Sequence, residues 1–197
     1  MKLKIKELAD IRMGYQFRGR VENAPEAPYP VIQIKDLDEA RRLDSSNLAR
    51  VETHRDPRPY MAAHGDVLFL SRGHHPFATT LETPPPNAIV SGYFFIVRAK
   101  QEQVLPAYLA WYLNQQPFQT ELRPVLKGTH MPMVALRDFV ELHVEVPPIA
   151  VQESIVMLEA LRSREQELLT QMREKRNELV QSVSLKAVRR SSSGRRI

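Results

Sequence analysis

Pro147 and Pro148 divide this chain into two unlike compositions, and that division constrains the fold more than any other feature of the sequence. Residues 149–193 contain neither glycine nor proline and are rich in Glu, Gln, Leu, Arg and Met, which lose little on entering a helix. All 15 prolines, all six histidines and every aromatic residue precede Ile149, and Gly194 is the one glycine beyond it. The stretch HVEVPP shows the change itself. His143–Val146 alternate as a strand does, and a proline neither donates to a strand ladder nor leaves the residue before it free to turn helical. The double proline is therefore read as a domain boundary: a domain over 1–148, a long helix over 149–184, and a basic, disordered tail over 185–197.

Within the helix a heptad seam places Ile155, Arg162, Leu169, Arg176 and Val183 at a, and Leu158, Glu165, Met172, Leu179 and Lys186 at d. A parallel homodimer would set Arg162 and Arg176 against their own copies. Antiparallel pairing matches a with d, and one register then sets Leu169 on Met172, Leu158 on Val183 and Glu165 opposite Arg176 of the second helix, so that the charges compensate. Leu161 and Leu168 flank the seam and widen the apolar stripe, as contact with a third element would require. A plain amphipathic helix folded back on its own domain is the alternative.

The first 148 residues read as mixed and mostly strand, so the fold class is α+β with one long C-terminal coiled-coil helix. KIKELADIRMG is a strand or short helix closing at Gly14, followed by the polar-aromatic loop YQFRGR. YPVIQIKDL is a strand, MAAHGDVLFLSRG a turn and strand ending at Gly73, and AIVSGYFFIVRAK a strand pair in which Tyr93, Phe94 and Phe95 read as core. Leu105, Tyr108, Leu109, Tyr112 and Leu113 recur at helical spacing, with Pro117 interrupting that helix or starting a second. TPPPN at 83–87 is a rigid extended connection, LKGTHMPMVA a loop, and FVELHVEV the terminal strand.

Charge and composition narrow the function classes. With 43% hydrophobic and 26% charged residues the chain is globular, and no apolar run reaches the ~20 residues that cross a bilayer. MKLKIKELAD lacks the unbroken apolar core and small-residue cleavage site of a signal peptide, and the absence of cysteine fits a reducing cytoplasm. The formal net charge is +5, but Lys186, Arg189, Arg190, Arg195 and Arg196 follow Ser184 with no acid among them. The body before them is neutral, so a nucleic-acid surface there must be a local basic patch, and the tail is either a solvated end or a phosphate-binding arm.

No phosphate loop, dinucleotide fingerprint, nucleophile elbow or zinc-protease motif occurs, and the histidines have no recognisable ligand spacing, so neither catalytic nor metal residues are expected. The best enzymatic rival is a metal-dependent nuclease. Gln33-Ile34-Lys35 on a predicted strand imitates half of such a centre, with Asp10 or Asp36 as ligand. A second rival is a protein-interaction adaptor whose helix is an assembly element.

In order and over residues 3–183, the pieces KIKELADIRMGYQF, YPVIQIKDL, HGDVLFLSRG, LPAYLAWYLNQ, KGTHMPMVALRDFVELHVEVPP and IAVQESIVMLEALRSREQELLTQMREKRNEL resemble a specificity (S) subunit of type I restriction-modification systems. The match is to the target-recognition domain and the helix that follows it, and the junction of strand, Pro-Pro, Gln-Glu and long helix is its most specific part. The resemblance implies a non-catalytic reader of double-stranded DNA. A typical S subunit has two recognition domains, each followed by a long helix. The helices pack antiparallel, fix the separation of the domains along the duplex and dock methyltransferase subunits. With one domain and one helix, this chain looks like half an S subunit, pairing with its own copy or with another half-subunit. The implied partners are a DNA adenine methyltransferase subunit, which would bring S-adenosylmethionine, and a restriction or translocase subunit with ATP; no cofactor is expected in this chain. The implied setting is antiphage defence in the cytoplasm. A helix over 152–184 would be ~50 Å long at 1.5 Å per residue, which bounds the half-site separation near about fifteen base pairs of a bipartite, inverted-symmetric target.

On that reading, readout falls to loops bearing donors and acceptors. Tyr15, Gln16, Arg18 and Arg20 combine a flat ring, an amide suited to adenine and two guanidinium groups. The SRGHH turn offers Arg72, His74 and His75, and the third loop Lys127, Thr129 and His130, with Gly128 permitting close backbone approach. Arg72 and Lys127 are expected on phosphates and Gln16 on a base edge.

Overall fold

The computed structural model describes the backbone of residues 1–193 and the side chains of residues 1–186. Of the expected tail, Arg195 and Arg196 and the side chains of Arg189 and Arg190 lie outside the described residues. Two compact units are present, Met1–Glu153 and a second beginning at Ser154.

The first unit opens strand, helical turn, strand: β1 (Lys2–Lys4), α1 (Ile5–Leu8) and β2 (Ala9–Met13). The single turn α1 forms where the Glu7 carboxylate accepts the Lys4 backbone N–H at 2.7 Å, capping an otherwise orphaned donor. There follow β3 (Tyr29–Ile32), β4 (Ala49–Val51), β5 (Val67–Leu70), β6 (Ala78–Thr80), β7 (Ile89–Val90) and β8 (Phe94–Ala99). Four strands make a sheet in the order β2-β8-β5-β6, with every neighbour antiparallel. Three make a second sheet, β4-β3-β7, in which β3 and β7 run parallel.

Both faces of the larger sheet are covered, which explains why β5 is buried at every position rather than alternating. Leu68, Leu70, Phe94 and Ile96 point one way and form a core with Ile32 and Val90 of the smaller sheet and with Ala88 just before β7. Phe69 and Phe95 point the other way, onto helices. Phe139 lies 4.4 Å from Phe69 and 5.1 Å from Phe95, ring centre to ring centre, and Phe118 lies 6.2 Å from Phe69. Full burial of each such ring stabilises the fold by about 1.5–3 kcal/mol. Phe118 belongs to α3 (Gln116–Leu122), which follows α2 (Pro106–Leu113), and Pro117 sits in the first turn of α3 as the start of a second helix. Asn114 between them accepts the Ala78 N–H at 3.0 Å and donates to its carbonyl at 2.8 Å, covering the edge of β6.

Two sequence expectations are corrected here. YPVIQIKDL is a strand only to Ile32; Ile34–Asp36 form a 3-10 turn, because the Asp36 carboxylate accepts the Gln33 N–H at 2.8 Å. FVELHVEV is not one strand either. Phe139 ends the short helix α4 (Leu136–Phe139), and β9 (His143–Glu145), paired antiparallel with β1, begins four residues later.

After Pro147-Pro148 comes α5 (Ile149–Ser193), and its first turn belongs with the first unit. Gln152 is the physical reason. It is 0% exposed, accepts the Leu105 N–H at 2.9 Å and donates to the carbonyls of Gln103 and Pro147 at 3.0 and 2.9 Å. Gln152→Ala leaves these buried groups unpaired and is expected to cost about 2 kcal/mol, lowering the melting temperature of the unit by about 4–8 °C in a calorimetric scan.

Beyond that turn α5 carries exposed apolar side chains: Leu158 is 68% exposed, Leu169 54%, Met172 68%, Leu179 64% and Val183 58%. Arg162 is paired with Glu159 and Lys175 with Glu178, one turn apart on the same helix. No described helix is long and apolar enough to cross a membrane.

Candidate nucleic-acid interface

Gly14 fixes where the first loop begins. Its N–H donates to the Phe94 carbonyl at 2.9 Å, the Tyr15 N–H donates to Val90 at 2.8 Å, and Tyr15 bridges Ser91. A β-carbon on Gly14 would stand 2.2 Å from the Ser91 carbonyl oxygen, so glycine alone lets the end of β2 lie this close to the turn between β7 and β8.

The loop that follows is held from beneath. Tyr15 is buried, 4% exposed, which corrects the expectation of a flat ring offered to DNA. Its hydroxyl accepts the His54 N–H at 3.2 Å, and its ring packs on Phe17 and, edge-on, on Tyr60. Arg55 lies over the same ring at 5.4 Å and donates to the Gln16 carbonyl at 3.3 Å. Gln16 is exposed, with Nε2 donating to the Gly92 carbonyl at 3.1 Å, so its Oε1 and one N–H are left for a ligand. The side chains of Arg18 and Arg20 are exposed and make no hydrogen bond or ion pair with another described residue.

The second and third loops are joined to each other. The Ser71 N–H and hydroxyl both donate to the Tyr93 carbonyl, at 2.9 and 2.8 Å. Gly73, at φ +109°, donates to Pro132 at 2.7 Å, while Val134 donates to Ser71 at 3.0 Å. Lys127 and Met133 exchange both backbone hydrogen bonds at 2.9 Å, closing a hairpin whose tip carries the exposed Thr129 and His130, and Gly128 there adopts φ +102°. His74 and His75 are exposed in the adjoining bend. Lys127 is not a free cation: its Nζ lies 3.1 Å from Asp138. That exposed pair contributes at most about 1 kcal/mol, so a phosphate can compete for the ammonium.

Four segments far apart in sequence are thereby brought together. The first loop, Gln33–Lys35, Arg72 and Ser91–Tyr93 wall a cleft of about 380 Å³. A second cleft of about 350 Å³, also walled by the first loop, is bounded by Glu52, His54 and Arg55. Gln33 and Lys35, expected on a strand as part of a nuclease centre, instead cap and lie within the 3-10 turn, and Lys35 is paired with Asp36 at 2.9 Å. Among the described residues no group of three or more His, Asp or Glu side chains stands together as metal ligands would.

Sequence reasoning missed two members of this surface. Tyr93, expected in the core with Phe94 and Phe95, is 42% exposed, and the Arg72 guanidinium lies over its ring at 5.3 Å. Arg55 was not singled out, although THRDPRP offered the same mixture of basic and turn residues as the loops that were.

A mixed domain whose loops gather cationic and amide groups, followed by a long helix, has the architecture of a recognition module. The chain belongs to the family of type I restriction modification DNA specificity domains, whose family model matches residues 1–178. That family is a specificity domain and not a catalytic one. No curated protein is significantly similar in sequence. Among solved structures, the chain is similar to the S subunit of a type I restriction-modification system from M. genitalium (TM-score 0.60, 14% identity, 86% of this chain and 40% of that one). It is also similar to the HsdS subunit from Thermoanaerobacter tengcongensis (TM-score 0.60, 19% identity, 85% and 43%). A chain from a structure describing complex assembly and conformational transition of the type I R-M system matches at TM-score 0.55 and 18% identity, with 84% and 38% covered. The chain thus spans about two fifths of the length of these relatives.

Proposed function

We propose that this chain selects the DNA sequence on which a type I methyltransferase complex acts, contacting double-stranded DNA through the three gathered loops. The observation that carries the reading is their convergence: Arg20 stands unpaired on the wall of the first cleft with Arg72, Arg18 stands unpaired on the wall of the second, and the hairpin of Lys127, Thr129 and His130 is bonded to the Arg72 loop. Arginines without acidic partners are what phosphate contact needs, and an exposed amide such as Gln16 suits a base edge.

The same reading gives α5 the task of assembly. Leu158, Leu169, Met172, Leu179 and Val183 are exposed apolar groups in a heptad pattern, and Glu165 faces Arg176 when two copies pair antiparallel. A second copy would carry a second recognition unit, and a two-fold assembly mirrors its symmetry onto a bipartite, inverted target. A DNA adenine methyltransferase subunit would dock on the paired helices and bring S-adenosylmethionine. A restriction or translocase subunit would join where the cytoplasmic complex defends against phage.

Purification of the tagged chain from its own cells at moderate salt, followed by mass spectrometry, tests the assignment. A stoichiometric adenine methyltransferase supports it; a chain recovered alone, with duplex DNA present, refutes it in favour of a free DNA binder or adaptor. In the recovered complex, Arg18→Ala combined with Arg20→Ala should weaken binding uniformly across sequences and lower the slope of log affinity against log salt by about 2, as expected for two lost phosphate contacts.

A further inference from the structure

Three residues that line the 380 Å³ cleft each carry a polar side-chain atom that is shielded from solvent and has no hydrogen-bond partner: Gln33 Nε2, Arg72 Nε and Ser91 Oγ. They are the complete set of such atoms among the described residues, and all three belong to this one cleft. Ser91 is 3% exposed. Buried polar groups are almost always paired, and a concentration of exceptions at one place marks a site whose partner arrives from outside.

Their chemistry specifies that partner. Gln33 Nε2 and Arg72 Nε are donors only, and a serine hydroxyl donates as readily as it accepts. The cleft therefore calls for a group rich in acceptors. Of the base edges in a DNA major groove, guanine alone presents two acceptors, N7 and O6, with no donor beside them; adenine and cytosine each present an amino group, and thymine a methyl. A phosphate is the other acceptor-rich group, and the cleft suits it less. Two of the three atoms sit on neutral side chains; of the other cations on the lining, Lys35 is neutralised by Asp36 at 2.9 Å, and Arg20, on the exposed first loop, is free to hold a backbone phosphate beside the base. The walls also carry the flat rings of Phe17 and Tyr93. Arg72 is held with its guanidinium over the Tyr93 ring at 5.3 Å, which restrains the fork that a guanine edge requires.

We infer that this cleft is the direct-readout pocket for one guanine of the target, with Arg72 as the principal donor and Gln33 and Ser91 as supporting donors. The inference rests on the reading of the chain as a DNA specificity domain and adds which base and which residues. It places Gln33 in recognition and moves Arg72 from phosphate contact to base contact.

The test is selection of bound duplexes from a randomised pool by the full chain in its purified complex, comparing the native protein with Arg72→Ala and Gln33→Glu. Native protein should yield a motif containing an invariant guanine. Arg72→Ala should lower the preference for that guanine over other bases by about 10- to 100-fold while the rest of the motif persists and the salt slope stays unchanged. Gln33→Glu keeps the side chain's size, so it tests the site even where Arg72→Ala fails to fold. By exchanging donors for acceptors it should reject the same guanine by about 10-fold or more. A uniform loss across sequences with a shallower salt slope would identify Arg72 as a phosphate contact and overturn the inference. So would a motif unchanged in both variants. A native protein that enriches no motif at all would instead overturn the DNA-specificity reading itself.

Discussion

Leu169→Glu combined with Met172→Glu should convert the proposed antiparallel pair to monomers while leaving the recognition unit folded. In the antiparallel register, Leu169 of each helix meets Met172 of the other, so the two substitutions strike four side chains at the centre of the pair. Both are more than half exposed in the isolated chain, 54% and 68%, and lie beyond Glu153, where the first unit ends. Burying such side chains is worth about 1.5–3 kcal/mol each, and the glutamates would add like-charge repulsion, so association should weaken more than about a thousandfold. Sedimentation velocity across a concentration series reads the change, with calorimetry of the first unit unchanged as the control. Charge exchange tests the register itself. Glu165→Arg or Arg176→Glu alone should weaken pairing, and the two together should restore it, because the proposed register sets each residue opposite the other. Indifference to all three would exclude this antiparallel register.

Periodicity and composition made the helix legible, since both are local. The absence of glycine and proline after Pro148 announced it, and the heptad positions of Leu158, Leu169, Met172 and Val183 are exposed on α5. The strand VLFL was legible for the same reason. Failures occurred where a side chain reached back to the backbone or a distant segment decided the outcome. Asp36 turned the end of YPVIQIKDL into a 3-10 turn by accepting the Gln33 N–H, an i to i+3 interaction visible in the sequence but outweighed there by the run of branched residues. Phe139 opens the strand-like run FVELHVEV, but it packs against Phe69 and Phe95 from the one-turn helix α4.

The loops of the candidate site were found individually from their residue types, and their assembly into one surface was not. Tyr15 meets Ser91, and Arg72 meets Met133, through pairings dozens of residues apart that no local pattern encodes. Tyr93 shows the limit most clearly. The run Tyr-Phe-Phe looked uniformly apolar, but β8 begins at Phe94, so the two phenylalanines enter opposite sides of the sheet while Tyr93 stays on the turn beneath Arg72.

Gly14→Val is the substitution expected to cost the first unit most, and Gly92→Ala its instructive contrast. At Gly14 an added β-carbon meets the Ser91 carbonyl oxygen at 2.2 Å and the Val90 carbonyl oxygen at 2.7 Å, both backbone atoms of the strand–turn–strand that carries the cleft. Neither can move without losing the hydrogen bonds from Gly14 to Phe94 and from Tyr15 to Val90. Overpacking together with two lost backbone bonds should destabilise the unit by about 4 kcal/mol, lowering its melting temperature by about 8–16 °C. At Gly92 the added carbon meets the far end of a side chain, Gln16 Nε2, also at 2.2 Å. Rotation of Gln16 relieves that contact, so the melting temperature should move by less than about 2 °C. What Gly92→Ala removes is the hydrogen bond from Gln16 to the Gly92 carbonyl, which sets the direction of the amide. Stability nearly native with altered sequence preference at a single position would show that Gly92 serves recognition through Gln16, whereas a loss of stability comparable to that of Gly14→Val would show that the turn itself cannot accept a side chain.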